Sequence, residues 1–132
     1  MNHLPILPVV IPLFAAALAL MVEHRRFGIA PQRVVGWASL AAQLAVAVLL
    51  ARQAATGQVL VYLLGDWPAR LGIALMVDRL SALMLLVGLL LAAACLLHAC
   101  AGWDRRAPHF HAFFQLQLMG LNGAFLTGDI FN

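Results

Sequence analysis

Residues Leu4 to Val22 form an uninterrupted stretch without a single charged side chain. At 1.5 Å per residue such a stretch reaches about 28 Å, close to the thickness of the hydrocarbon core of a bilayer. Three further stretches come near the same length: 34–51, 80–101 and 110–127. A chain of 132 residues with 64% hydrophobic and only 10% charged residues cannot hide this much apolar surface as a water-soluble domain. Lipid is the simplest solvent for the excess, because a helix satisfies its own backbone groups there.

The stretches differ in character. The first carries Pro5, Pro8 and Pro12 in its first half. Such prolines are tolerated in a membrane when neighbouring groups satisfy the carbonyls they free. Alanines at 38, 42 and 45 give the second a small-residue face suited to close helix packing. The third is broken only by Ser81 and His98, near its ends. The fourth contains Gln115, Gln117 and Asn122, and an amide in hydrocarbon needs a partner, so this helix is expected to face protein. Small residues four apart, such as Gly120 and Ala124, permit that approach. Two readings stay open for it: a packed helix with hydrogen-bonded amides, or the lining of a polar path.

The joints set an orientation. Arg25, Arg26 and Arg33 lie in or beside the first short joint, and Arg105 and Arg106 in the last. Arg52, Arg70 and Arg79 are spread thinly through or beside the long middle joint. By the excess of positive charge, the short joints face the cytoplasm, and the N-terminus and the long joint face outward. The N-terminal stretch lacks the basic leader and the cleavage site of a signal peptide and reads as a retained span. In the long joint, about 57–78, Gln58 to Leu64 is rich in β-formers, Gly65-Asp66-Trp67-Pro68 is a turn signal and Leu71 to Val77 is a second apolar run. The expectation is a β-hairpin on the outer surface, with Tyr62 and Trp67 at the membrane interface and Trp103 at the opposite one. An irregular loop is the alternative.

The expected fold is therefore an all-α membrane protein, one membrane domain of four transmembrane helices with a β-hairpin in the long external loop between helices 2 and 3. No phosphate-binding loop, zinc-protease or nucleophile-elbow signature is present, and no catalytic, cofactor or metal site is expected. Cys95 and Cys100 point away from each other on a helix and read as small hydrophobes. The net charge of +3 sits in the joints, with no basic patch interleaved with aromatics, so nucleic acid is not an expected partner. His109 and His111 are two apart and point to different helix faces. His98 is a weak proton-relay candidate. Asp78 and Arg79 at the mouth of the third stretch are expected to pair locally or with another loop, and Asp129 lies at the outer end of the fourth. The middle of every stretch lacks the ionisable group that coupled ion transport requires. Ile130-Phe131-Asn132 looks like the opening of another apolar run, so the sequence reads as interrupted there.

Several stretches together resemble one known family. Asn-His-Leu-Pro-Ile-Leu-Pro-Val-Val-Ile-Pro-Leu at 2–13, Val-Tyr-Leu-Leu-Gly-Asp-Trp-Pro-Ala at 61–69, Val-Asp-Arg-Leu-Ser-Ala-Leu-Met at 77–84 and Ala-Gly-Trp-Asp-Arg-Arg at 101–106 carry the likeness. The run from His109 to Asn132 carries it furthest. They look like the front part of the D subunit of Mrp-type (also called Pha or Mnh) monovalent cation/proton antiporters, which is similar to the antiporter-like subunits of respiratory complex I. The resemblance implies a subunit of about fourteen spans with inverted repeats, partner subunits in a hetero-oligomer, a bacterial inner-membrane location, and sodium and protons as the transported ions. In that family a glutamate on the fifth span and later lysines carry the protons, and the glutamate would fall just beyond Asn132. The resemblance therefore implies that residues 1–132 alone are inactive. Two alternatives are a small structural or assembly membrane protein and a proton-pumping subunit of complex I.

Overall fold

The computed structural model describes residues 3–127 apart from Arg26, Phe27, Gln58 and Ala69. A 3-10 turn, Leu4–Ile6, leads into α1, Leu7–His24. Then follow α2 (Ile29–Ala55), β1 (Leu60–Leu63), β2 (Ala74–Val77), α3 (Arg79–Ala99), a single-turn α4 (Trp103–Arg106) and α5 (Phe110–Leu126). Among the described residues, three helical segments are long and apolar enough to cross a membrane: Leu4–His24, Ile29–Ala55 and Arg79–Ala99. The fourth long helix, α5, has 17 residues and carries the amides.

The helices are apolar nearly all round, the pattern of helices that meet both protein and lipid. Leu80, Leu83, Leu90, Leu91 and Leu97 of α3 stay exposed, as do Phe14 and Met21 of α1. Leu40, Leu50, Leu85, Leu89 and Leu96 are buried between α2 and α3, and Leu126 closes one end of the same core. Helix contact in lipid rests on close packing, because lipid tails are as apolar as leucine. Small side chains allow it: Ala15, Ala16 and Ala19 of α1 are buried, as are Ala47 and Ala54 of α2.

The middle joint is a two-stranded antiparallel hairpin with Leu60 opposite Val77 and Leu63 opposite Ala74. Its turn holds Gly65 and Asp66 in the left-handed region, at φ 66 and 59. Asp66 and Trp67 at the tip are exposed. One face of β2 is buried, with Leu75 and Val77 inward, and Leu75 also bridges to Thr127 just after α5. Tyr62 of β1 hydrogen-bonds the His3 ring at 2.9 Å. The hairpin thus ties together the start of α1, the start of α3 and the end of α5.

Asp78 and Arg79 turn to different partners. The Asp78 carboxylate caps α3 by accepting the Ser81 N–H at 2.7 Å, and that bond holds its pKa below the ordinary value. Arg79 reaches across to the last carbonyls of α2, donating to Ala54 and Ala55. A cation at a helix C-terminus satisfies carbonyls that have no partner within the helix.

Candidate functional site

The buried polar residues gather where α1, α2 and α5 meet. On α5, His111, Gln115 and Asn122 recur at helical spacing and are at most 2% exposed. On α2, Gly36, Ser39 and Gln43 lie on one face, with Gln43 fully buried. The two rows face each other. Ser39 Oγ donates to Gln115 Oε1 at 2.9 Å. Gln43 Nε2 donates to Ser39 Oγ at 2.9 Å and to Gln115 Oε1 at 3.3 Å. Gln115 Nε2 reaches the Gly36 carbonyl at 3.5 Å. Asn122 Nδ2 donates to Gln43 Oε1 at 3.0 Å and to the carbonyl of Pro8 at 2.8 Å.

The last bond answers a need created by the sequence. Pro12 has no N–H, so the Pro8 carbonyl, four residues earlier in α1, lacks its helical donor. Asn122 supplies the donor from another helix. A proline and an amide that look unrelated in the sequence are one unit in the fold.

At the arginine-rich end the seam meets ions. Arg33 grips Asp104 with two bonds, Nε to Oδ2 at 2.7 Å and Nη2 to Oδ1 at 2.9 Å. His111 Nε2 sits 3.0 Å from the same Oδ2. Asp104 lies on α4, outside the long apolar helices, yet is only 3% exposed. The Arg33 guanidinium, opposed by burial and aided by His111, holds its carboxyl down at about 2, so the group is an ion that can only accept. His111 must then donate from Nε2, and its other ring nitrogen, Nδ1, is buried without a hydrogen-bond partner.

Beside this triad, Glu23 of α1 accepts from the backbone N–H of His109 at 3.2 Å and bonds its ring at 2.7 Å. His109 sits in the left-handed region at φ 59, immediately before α5. Such a conformation is uncommon for a residue with a side chain, and the two bonds to Glu23 help hold it there.

Other singled-out residues lie elsewhere. His98, Trp103 and Gln117 border a cavity of about 660 Å³ between α3 and α5, whose walls are mostly apolar and include Leu91, Cys95 and Phe125. Arg106 lies over the Trp103 ring at 5.2 Å. Cys95 and Cys100 are free thiols. Asp129 lies outside the described residues. Among the described residues, no three His, Cys, Asp or Glu side chains come together to hold a metal. Ser39, Gln43, Arg33, Asp104 and His111 do not stand out as seam members in the sequence. The available signal was spacing: His111, Gln115 and Asn122 on one face of α5, opposite Gly36, Ser39 and Gln43 on one face of α2.

Apolar helices with exposed leucines, joined through a buried polar seam, define a multi-pass α-helical membrane protein. Over its whole length the chain is homologous to the D subunit of cation/proton antiporters of the Mrp type. It is 43% identical to the D subunit of a probable K(+)/H(+) antiporter of Rhizobium meliloti, across 100% of this chain and 25% of that protein. It is 34% identical to the D subunit of the Na(+)/H(+) antiporter of Alkalihalophilus pseudofirmus, across 100% of this chain and 27% of that protein. A solved Mrp complex from Dietzia sp. DQ12-45-1b contains a chain of the same fold, at TM-score 0.85 and 33% identity, covering 99% of this chain and 24% of that one. The N subunit of NADH-quinone oxidoreductase of Desulforudis audaxviator is 34% identical over 98% of this chain and 26% of its own length. The chain thus spans about a quarter of the length of the curated relatives it matches. No protein-family model matches it.

Proposed function

We propose that this chain is the front, membrane-embedded part of the D subunit in a multi-subunit monovalent cation/proton antiporter of a bacterial inner membrane. The observation that carries the reading is the match of the whole of this chain to about a quarter of an antiporter D subunit, together with the fold shared with a chain of the Mrp complex. In this reading α5 is the fourth crossing helix, and the hairpin and N-terminus face outward. Trp67 at the hairpin tip and Trp103 at the other end stand at opposite interfaces. Sodium is the proposed cation, exchanged for protons, with other antiporter subunits as partners. The seam, whose amides bond one another, holds α1, α2 and α5 in one rigid unit. Residues 1–132 alone carry no exchange, since their buried polar groups between the triad and Pro8 are amides and a hydroxyl that hold no mobile charge.

The test is a pH-gradient assay in everted vesicles. Vesicles carrying the native antiporter should lose an imposed proton gradient on addition of sodium chloride, and vesicles with residues 1–132 as the sole antiporter component should not. Exchange by residues 1–132 alone would contradict the reading. A potassium-driven response without a sodium response would overturn the choice of cation. The likeness to the N subunit of NADH-quinone oxidoreductase favours a second reading, a proton-pumping subunit of a quinone reductase. Co-purification with NADH-oxidising subunits would select it.

A further inference from the structure

The cavity between α3 and α5 owes its shape to side-chain size. Gly88, Ala92, Cys95 and Ala99 recur on one face of α3 and line it. These small side chains leave room that Leu118 and Leu121 of α5 do not fill. Phe125 closes one end, where a methyl group built on Gly88 would lie 3.2 Å from its ring. His98 and Trp103 line the other end. On the rim, Leu91 is 65% and Leu121 44% exposed, so the cavity is a groove open along the side of the bundle.

His98 lies ten residues after Gly88 in α3, which is about 15 Å of helix. That is half of the roughly 30 Å hydrocarbon core. A protein helix crossing the bilayer is apolar over the whole core, twice the length of the groove, whereas a lipid tail occupies one leaflet. The two ends also differ as the two ends of a lipid do. The Phe125 end is apolar. At the other end Arg106 lies over the Trp103 ring at 5.2 Å, and both Arg105 and Arg106 are exposed. Asp104, the acid on the same helical turn, is buried and engaged by Arg33 and His111, so the two arginines keep their charge for an outside partner. The Trp103 indole and the His98 ring each carry an N–H that can donate to a phosphate oxygen. Basic pockets between membrane helices suit anionic head groups, and tryptophan collects at head-group level.

We propose that the groove between α3 and α5 binds one anionic phospholipid, with an acyl chain along Gly88 to His98 and the phosphate at Arg105 and Arg106. The apolar walls hold the tail without selecting it, because any lipid tail is equally apolar. Selection lies in the head group, where the arginines meet a negative charge and Trp103 marks its depth. The groove is a bound-lipid site on the flank of the bundle, separate from the seam that joins α1, α2 and α5.

The proposal needs the chain in a membrane but not the antiporter reading, because its test reads lipid contact and not ion exchange. The native full-length protein is placed in phosphatidylethanolamine vesicles with a small share of phosphatidylglycerol bearing a diazirine at the end of one acyl chain. After irradiation, mass spectrometry maps the adducts. The control is phosphatidylcholine with the same diazirine tail. Phosphatidylglycerol should label the groove, at Leu91, Cys95 and Leu121, well above phosphatidylcholine. Arg105→Gln and Arg106→Gln should each lower that preference about fivefold. Arg70→Gln, in the hairpin joint, should leave it unchanged. If the arginine variants fail to assemble, Cys95→Trp fills the groove from its exposed rim and should remove the phosphatidylglycerol adducts. Equal labelling by the two lipids would mean ordinary boundary lipid and overturns the proposal. No adducts in the groove from either lipid would mean that protein covers it, which also overturns it. So would a preference that survives loss of both arginines or the filling of the groove, or one that Arg70→Gln lowers as much.

Discussion

Replacing Asp104 with alanine is expected to lower the unfolding free energy of the native protein by about 3 kcal/mol, because removing one partner of a buried ion pair strands the other. Asp104 accepts three bonds, two from Arg33 and one from His111. Without it the Arg33 side chain, 26% exposed, must turn outward, and the fully buried His111 Nε2 loses its acceptor. A denaturant or thermal unfolding series in lipid or detergent measures the loss. The acid dependence gives a second readout. The carboxyl is depressed from 3.8 to about 2 in the fold. Its contribution is therefore fully present above the ordinary value and fades as pH falls through about 2. Asp104→Ala should flatten the pH dependence across that window. An unchanged stability and an unchanged acid profile would show that the triad does not hold α4 to α2 and α5.

The second large effect concerns Asn122. Asn122→Leu should cost about 2 kcal/mol, since the Pro8 carbonyl and Gln43 Oε1 both lose their donor in a buried site. Pro12→Ala in the same background restores an N–H in α1 that can reach the Pro8 carbonyl. The double variant should therefore recover about 1 kcal/mol relative to the sum of the single changes. Additive behaviour would mean that the proline and the asparagine do not act as one unit.

Much of this architecture is legible in the residues. Length and lack of charge mark the helices around 4–22, 34–51 and 80–101. The β-formers either side of Gly65-Asp66-Trp67-Pro68 mark the hairpin, because only a sharp turn joins runs of that pattern. Gln115 and Asn122 signal a helix that needs protein on one side. What is not legible is who answers whom. Arg33 looks like an orienting charge in a joint, and only the bundle brings it to Asp104, 71 residues away. Ser39 and Gln43 are inconspicuous in an alanine-rich stretch, since one hydroxyl and one amide there could equally face a headgroup. The prolines announce a freed carbonyl without naming its donor. His111 reads only as one of two histidines on different helix faces, because the left-handed turn at His109, just before α5, carries no local signal. These are long-range pairings, and periodicity reports only local geometry.

In the proposed arrangement α5 crosses the membrane beside α1 and α2, with the hairpin and the arginine-rich end on opposite sides. The most direct measurement is labelling of single cysteines in the native protein, after changing Cys95 and Cys100 to alanine, with a membrane-impermeant thiol reagent applied from either side. Cysteines placed at Arg25 and Arg105 should react only from the cytoplasm, and those at Arg70 and Thr127 only from outside. Thr127→Cys reacting from the same side as Arg105→Cys would contradict the account.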